Sequence, residues 1–173
     1  MGKKLYFLII FGFLMLIAPA KHGYALDESA YNNSGLSIPR FVSLRSDKVF
    51  VRTGPAQRYP IKWVFKREGL PVEIIQEFDT WRKIRDLDGE EGWIHQSLLS
   101  GKRNIVIRPV DNDTVILQRD PEEGARAVVA LEPKVIAQLI QCVASWCELK
   151  IAGYEGWTQR KMLWGIYEDE KFD

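Results

Sequence analysis

Apolar residues recur at every second position in several short stretches of the chain. In the segment 146–151, Cys147, Leu149 and Ile151 occupy alternate positions, a spacing that gives a β-strand one apolar face. The segment 72–78 is rich in β-branched and aromatic residues and lies between turn-forming residues. Beyond the N-terminal region, no stretch keeps a helical spacing over three turns. The pattern therefore predicts an all-β fold of short strands.

Two copies of one pattern occupy most of the chain, at 40–103 and 104–167. The matched pairs are Trp81 with Trp146, Trp93 with Trp157, Leu99 with Leu163 and Gly101 with Gly165. Short strands in repeating units of about 65 residues predict two tandem small β-barrels. Units of this size bury only about 60% of their unfolded surface, so we expect the two copies to pack against each other.

The N-terminal region, 1–25, has the organisation of a secretory signal peptide. Lys3 and Lys4 precede an apolar run that is shorter than the roughly 20 residues of a membrane-spanning helix. Small residues then permit cleavage after Ala20 or Ala25, of which Ala25 is preferred. An uncleaved N-terminal anchor is the alternative. Cleavage predicts an exported chain, periplasmic or extracellular, with no stable membrane span.

Charge is nearly balanced over the whole chain, with 24 basic and 23 acidic side chains, which gives no electrostatic basis for nucleic-acid binding. The first copy, 40–103, carries a net charge of +4, whereas 104–173 carries −4. We favour the interpretation that the copies attract and dock; the alternative is an acidic partner for the first copy. The polar segment 26–39 predicts a flexible leader, and 168–173 predicts an acidic tail.

The two cysteines, Cys142 and Cys147, are predicted to form a structural disulfide. Cys142 ends the predicted strand 135–142 and Cys147 begins the next strand, so antiparallel pairing places their side chains opposite each other. An exported chain enters an oxidising compartment, where such a pair forms a disulfide. A redox-active pair is the alternative, but the C-x-x-C spacing typical of that chemistry is missing.

The motifs of the first copy resemble those of the bacterial SH3-like domain family. They are V-R-T-G-P at 51–55, Tyr59-Pro60, W-x-x-I at 81–84 and D-G-x-x-G-W-I at 88–94. The second copy resembles secreted tandem members in its W-C, G-W and L-W-G motifs, at 146–147, 156–157 and 163–165. The resemblance spans about residues 40–167 and implies two SH3-like barrels. Several family members recognise cell-wall peptides or are attached to cell-wall hydrolases.

Departures from the family pattern favour the first copy as the one that binds a ligand. The first copy departs at Phe50, where the family usually has Asn. The second copy departs more, because Gln118 and Asp120 replace the arginine and the glycine of the V-R-T-G-P motif. Aromatic rings stack on sugars or peptides, and arginine binds carboxylates. The candidate ligand-binding residues are Arg52, Arg58, Tyr59, Trp63, Trp81 and Trp93.

The tryptophans of this set allow two interpretations. If Ile84 faces the core, regular alternation turns Trp81 outward, and the same logic turns Trp93 outward. Because the second copy keeps both tryptophans, we favour a covering role at the barrel end or between the copies over ligand contact. Trp63 has no counterpart, since Val129 occupies its position, which makes it a candidate for specificity or an interface plug.

Candidate catalytic groups are few. The histidines are His22 and His95, and the only cysteines are the predicted disulfide pair, so thiol–histidine and zinc sites lack their side chains. Phosphate-binding glycine loops and serine nucleophile motifs are missing. We therefore expect no enzyme activity, no cofactor and no metal. The predicted function is an exported binding module for cell-wall (peptidoglycan) peptide or glycan; the alternative is a protein-interaction or regulatory subunit of an envelope or cell-wall enzyme.

Overall fold

The computed structural model of the chain describes residues 32–108 and 114–173. The predicted signal peptide and its alternative, an uncleaved anchor, lie outside the described residues. Within these two ranges, no helix has the length and the apolar character needed to cross a membrane. The helices found there are two single 3₁₀ turns, Gln96–Leu98 and Arg160–Met162.

The described structure contains two sheets of seven strands, one in each repeat. The first domain consists of β1 (Arg40–Leu44), β2 (Val49–Arg52), β3 (Ile61–Phe65), β4 (Pro71–Phe78), β5 (Trp81–Arg85), β6 (Glu91–His95) and β7 (Leu99–Ser100). The second consists of β8 (Asn104–Ile107), β9 (Val115–Gln118), β10 (Ala127–Leu131), β11 (Ile136–Val143), β12 (Trp146–Ile151), β13 (Tyr154–Gln159) and β14 (Leu163–Trp164). The predicted all-β fold, with one small domain repeated in tandem, is confirmed.

The two sheets have the same strand order, which is the structural expression of the sequence repeat. The order is β3-β2-β6-β5-β4-β1-β7 in the first sheet and β10-β9-β13-β12-β11-β8-β14 in the second. Each sheet encloses its own core of aliphatic side chains. The fully buried core members include Val49, Val51, Ile84 and Ile94 in the first domain and Ile105, Ile107, Leu117 and Leu149 in the second.

One inward-facing cross-strand pair differs chemically between the domains. Glu77 of β4 lies opposite Arg82 of β5, and Cys142 of β11 lies opposite Cys147 of β12 at the equivalent register. In the first domain the pair is a buried ion pair, with Arg82 Nε 3.2 Å from Glu77 Oε1. In the second domain it is the predicted disulfide, with an S–S distance of 2.08 Å. The same position therefore carries an ion pair in one copy and a covalent cross-link in the other.

The carboxylate of Glu77 also anchors the segment that precedes β1. It accepts hydrogen bonds from the N–H of Ser34 at 2.7 Å and from the hydroxyl of Ser34 at 2.8 Å. Arg40 Nη2 donates to the same carboxylate at 2.6 Å. Burial acts to raise the pKa of Glu77, but the hydrogen bonds from Arg40 and Ser34 outweigh it and hold the pKa below its usual value. The end of the expected leader thus contacts the first domain.

The segment that follows β14 is attached to the second domain. Arg103 forms a bidentate ion pair with Glu170, and Cys142 N–H donates to the carbonyl of Phe172 at 2.7 Å. Arg160 is 9% exposed, and its guanidinium donates to four backbone carbonyls, those of Ala144, Tyr167, Glu168 and Glu170. Because these partly buried carbonyls are supplied with donors by one side chain, Arg160 holds the C-terminal segment in place.

The two domains contact each other through aromatic rings and hydrogen bonds. The ring of Phe41 lies 5.1 Å from Trp164 and 4.7 Å from Tyr167, measured between ring centroids. The hydroxyl of Tyr167 donates to Glu73 Oε1 at 2.9 Å, and Asn104 Nδ2 donates at 2.8 Å to a carbonyl in the β3–β4 loop. Burial and the bond to Glu73 raise the pKa of Tyr167, so the phenol stays protonated as a donor.

Removal of the disulfide is expected to weaken only the second domain. The cross-link joins cysteines five positions apart, and closure of so short a loop stabilises the fold by about 2 kcal/mol in the chain-entropy model. A Cys142→Ala/Cys147→Ala variant should lose about this much unfolding free energy. Urea unfolding with domain-resolved hydrogen exchange measures it. Equal loss of protection in the first domain, or none in the second, would contradict the assignment.

Candidate functional site

Five of the six candidate residues lie on neighbouring elements of the first domain. Arg52 ends β2, Trp63 lies in β3 and Trp93 lies in β6. Arg58 and Tyr59 lie in the loop between β2 and β3. The pairing of β2 with β6 places Arg52 directly opposite Trp93. We call these five residues the aromatic–arginine cluster.

The β2–β3 loop is closed and positions its tyrosine. Thr53 N–H donates to the carbonyl of Pro60 at 3.0 Å, which joins the two ends of the loop. Arg52 Nη1 donates to the carbonyl of Tyr59 at 2.8 Å. The ring of Tyr59 covers Gly54 so closely that a Cβ there would lie 2.6 Å from the ring. The glycine of the V-R-T-G-P motif is therefore required for this ring position.

Trp63 lies at the boundary between the core and the surface. It is half-buried, packs against the first core and meets Phe65 edge-on at 5.8 Å. Gly92 permits this position, because a Cβ on Gly92 would lie 3.3 Å from Trp63 Cη2 and 2.4 Å from Val51 Cγ1. The indole N–H of Trp63 is buried and has no acceptor within the described ranges. Such a donor is unusual in a folded domain.

Cationic groups accompany the aromatic rings of the cluster. The guanidinium of Arg58 lies 5.3 Å from the centroid of Tyr59, and Lys62 Nζ lies 4.9 Å from that of Trp63. Lys62 also pairs with Glu90 at 3.0 Å. Neither Arg52 nor Arg58 forms an ion pair with any residue that the structure describes. Two positive charges therefore remain available to an anionic group.

Lys62 was not among the residues selected from the sequence. The strand alternation around it is interrupted by a register shift between Val51 and Arg52 in the pairing of β2 with β3. An irregularity of this kind changes which side chains share a face, and alternation alone cannot place it. No regular sequence pattern predicts the contact of Lys62 with Trp63, because neighbouring side chains of a regular strand point to opposite faces.

Trp81 is not part of the cluster and is not accessible. Regular alternation predicts an outward side chain, and Trp81 indeed lies outside the first core. It is nevertheless only 8% exposed, because the ring of His95 packs edge-on against it at 5.5 Å. Of the two interpretations left open for Trp81, ligand contact and a covering role, this exposure leaves little indole surface for a ligand. Its burial agrees with a covering role rather than with ligand contact.

The second domain has the same loop without the same side chains. Its β9–β10 loop is closed by a hydrogen bond from Arg119 N–H to the carbonyl of Arg126 at 2.9 Å, the equivalent of the Thr53–Pro60 bond. The residues that replace the cluster are Gln118 for Arg52, Gly124 for Arg58, Ala125 for Tyr59 and Val129 for Trp63, with Trp157 retained for Trp93. Because the loop closes in the same way in both domains, its closure does not depend on the side chains of the cluster. Those side chains can therefore have a separate role in binding.

His95 and Asp86, two titratable residues of the first domain, have structural partners. No group of three or more His, Cys, Asp and Glu side chains in residues 32–108 and 114–173 is arranged to hold a metal ion. His95 Nδ1 lies 2.7 Å from Ser97 Oγ at the start of a 3₁₀ turn. Asp86 Oδ1 accepts two backbone N–H groups of its own turn, while burial raises the pKa of this carboxyl. These contacts account for the positions of His95 and Asp86 by structural roles in their turns.

Comparisons with known proteins place the chain in a family of domains. The family model described as "Bacterial SH3 domain" matches residues 45–101 and 111–165, one match in each repeat. No curated protein matches the chain. A solved structure, "Structure of NlpC2 from Trichomonas vaginalis", covers 79% of this chain at 10% identity, with a TM-score of 0.35. The chain spans about half of that protein, 51% of its length.

Proposed function

Since the chain belongs to the bacterial SH3 domain family, whose members are generally binding modules, we propose that it is an exported, non-catalytic module that binds cell-wall material through its first domain. The aromatic–arginine cluster is the proposed binding site. The preferred ligand is a peptidoglycan peptide or glycan that carries a carboxylate. The second domain serves as a structural partner of the first.

The observation that carries this proposal is the difference between the two domains. Both keep the strand order and the closed loop, so neither feature requires the cluster side chains. Only the first domain has Arg52, Arg58, Tyr59 and Trp63 at these positions, whereas Trp93 has the counterpart Trp157 in the second domain. In the first domain, two arginines without an ion-pair partner among the described residues lie beside half-buried aromatic rings. Such a group suits a ligand that offers a carboxylate and an apolar or sugar face.

Retention on intact peptidoglycan tests the proposal. The purified protein is compared with the Arg52→Gln/Tyr59→Ala variant, which places second-domain residues at two cluster positions. We expect at least a tenfold loss of bound protein at low salt, since one charge contact and one stacking surface are removed. The control is Arg119→Ala, which removes one charge from the corresponding loop of the second domain. Absence of retention of the native protein, or equal loss in both variants, would contradict the proposal.

A protein partner in the envelope is the second candidate function. Arg58 of the cluster is exposed and the other four side chains are half-buried. Arginine with tryptophan and tyrosine is also the composition of protein-interface hot spots. Crosslinking in cells distinguishes the candidates. One dominant protein adduct that disappears in the Arg52→Gln/Tyr59→Ala variant favours a protein partner, whereas retention on protein-free peptidoglycan favours the wall ligand.

A further inference from the structure

A row of four side chains crosses the outer face of the first sheet. The strand pairings place each member directly opposite the next, in the order Gln76 (β4), Lys83 (β5), Trp93 (β6) and Arg52 (β2). Directly opposite residues of antiparallel strands share one face of a sheet, and Ile94, the neighbour of Trp93 in sequence, belongs to the core on the other face. All four side chains of the row are half-buried. Trp93 therefore lies between two cationic side chains, of which Lys83 is not a member of the aromatic–arginine cluster.

The second sheet forms the same row without the two cations. Its members, in the equivalent order, are Gln141, Glu148, Trp157 and Gln118. The first glutamine and the tryptophan are retained, whereas the two neighbours of the tryptophan change, from lysine to glutamate and from arginine to glutamine. Glu148 accepts a hydrogen bond from Gln141 Nε2 at 2.8 Å. The strand pairing therefore does not depend on Lys83 or Arg52, and the first row differs from the second in its charge.

Lys83 can contact a ligand without leaving its present partner unpaired. Its side chain is 30% exposed, and its Nζ lies 2.7 Å from Glu91 Oε2. Glu91 also pairs with Arg85 at 3.0 Å, so a cation remains beside this carboxylate when Lys83 turns toward another anion. Exposed ion pairs contribute at most about 1 kcal/mol, so the exchange of one carboxylate for another costs little free energy. On the other side of Trp93, the guanidinium of Arg52 donates within the described residues through Nη1 alone, which leaves further N–H groups for a ligand.

On the basis of the function proposed above, we infer that Lys83 is a specificity-determining residue of the same site and that the preferred ligand is a peptide or glycopeptide with two carboxylates. Neighbouring strands lie about 4.8 Å apart, so β5 and β2, on the two sides of β6, are separated by about 10 Å. One carboxylate binds Arg52 and the other binds Lys83, while the part of the ligand between them packs on Trp93. A ligand with a single carboxylate reaches only one of the two cations.

Calorimetric titration of the purified protein with soluble peptidoglycan peptides tests this inference. One peptide has two free carboxylates, and two derivatives of it have one or the other carboxylate amidated. For the native protein, each amidation should raise the dissociation constant at least fivefold, because a charge-assisted hydrogen bond is lost. In Lys83→Gln, one of the two amidations should have no further effect, whereas the other should weaken binding as before. Lys83→Arg keeps the charge and should keep the sensitivity to both amidations.

The matched control for Lys83→Gln is Lys150→Gln. Lys150 is also a strand lysine that pairs with a glutamate of the neighbouring strand, Glu155, but it belongs to the second domain. This variant should bind all three peptides as the native protein does. Circular dichroism confirms that every variant is folded.

The outcomes separate this inference from the proposed function. A native protein that binds none of the three peptides would contradict the proposed function, and the inference with it. Binding that is lost in Arg52→Gln/Tyr59→Ala, but that keeps its sensitivity to both amidations in Lys83→Gln, would overturn the inference alone. So would a native protein that binds either amidated peptide as tightly as the peptide with two free carboxylates.

Discussion

Replacement of Glu77 by alanine is expected to destabilise the first domain by about 3 to 5 kcal/mol, the usual cost of breaking one side of a buried ion pair. Glu77 is fully buried and contacts Arg82, Arg40 and Ser34. Without the carboxylate, the guanidinium of Arg82, which is 7% exposed, keeps its charge in a buried position. The segment before β1 also loses its anchor at Ser34.

Urea unfolding with domain-resolved hydrogen exchange measures this effect. The matched control is Glu91→Ala, which removes a carboxylate that pairs with Lys83 at 2.7 Å and with Arg85 at 3.0 Å on the surface of the same sheet. Exposed pairs contribute at most about 1 kcal/mol, so the control should change little. If both variants lose the same small amount, the buried ion pair does not have the role assigned to it here.

Two hydrogen-bonded carboxylates, those of Glu77 and Glu170, make the free energy of unfolding depend on pH in the acid range. The pKa values of Glu77 and Glu170 are lowered in the folded chain, because hydrogen bonds from arginine outweigh the opposing effect of burial. A lowered folded-state pKa stabilises the fold above the ordinary carboxyl value, and this stabilisation is lost as the pH falls through the lowered value. We therefore expect unfolding free energy to decline below about pH 4.5, with less decline in Glu77→Gln.

Replacement of Arg160 by methionine is expected to release the C-terminal segment and to destabilise the second domain by about 1 to 3 kcal/mol, since partly buried carbonyl groups lose their donor. The guanidinium bonds the carbonyls of Tyr167, Glu168 and Glu170 at 2.7 to 3.0 Å. Release of this segment also withdraws Tyr167 from Phe41 and Glu73, so the contact between the domains weakens with it.

Limited digestion with a carboxypeptidase, followed by mass spectrometry, detects the released segment. Lys161→Met is the control, because Lys161 lies in the same 3₁₀ turn but is exposed and lacks these bonds. We expect rapid loss of residues from the C-terminus in Arg160→Met and slow loss in the control and the native protein. Equal rates in all three would show that the segment is held by other contacts.

The fold was predictable because its strongest determinants are local and occur twice. Tryptophan, glycine–tryptophan and turn residues recur in both halves, and alternating apolar positions identify strands without knowledge of their partners. The disulfide followed from the same reasoning, since Cys142 and Cys147 flank a tight hairpin turn. Five of the six candidate residues lie close together because they belong to one hairpin and the strand beside it.

Three features of the structure could not be predicted from alternating apolar positions, because they depend on irregular strand pairing or on contacts between distant parts of the chain. A register shift between Ile74 and Gln76 turns Glu77 inward. Strict alternation of inward and outward residues therefore does not predict the buried ion pair. Trp81 is on the outward side but is covered by His95 from the next strand. The attachment of the C-terminal segment depends on Arg160, which donates to the carbonyls of Ala144 and Glu170. These residues are distant in sequence, and no local pattern connects them.

The central claim, that ligand binding belongs to the first domain's cluster, is tested most directly by nuclear magnetic resonance. The ¹⁵N-labelled protein is titrated with soluble peptidoglycan fragments while the backbone and indole N–H signals are followed. We predict shifts of the Trp63 and Trp93 indole signals and of residues 52–60, with 115–131 unchanged. Shifts centred on the second domain, or no shifts at saturating fragment, would contradict the account.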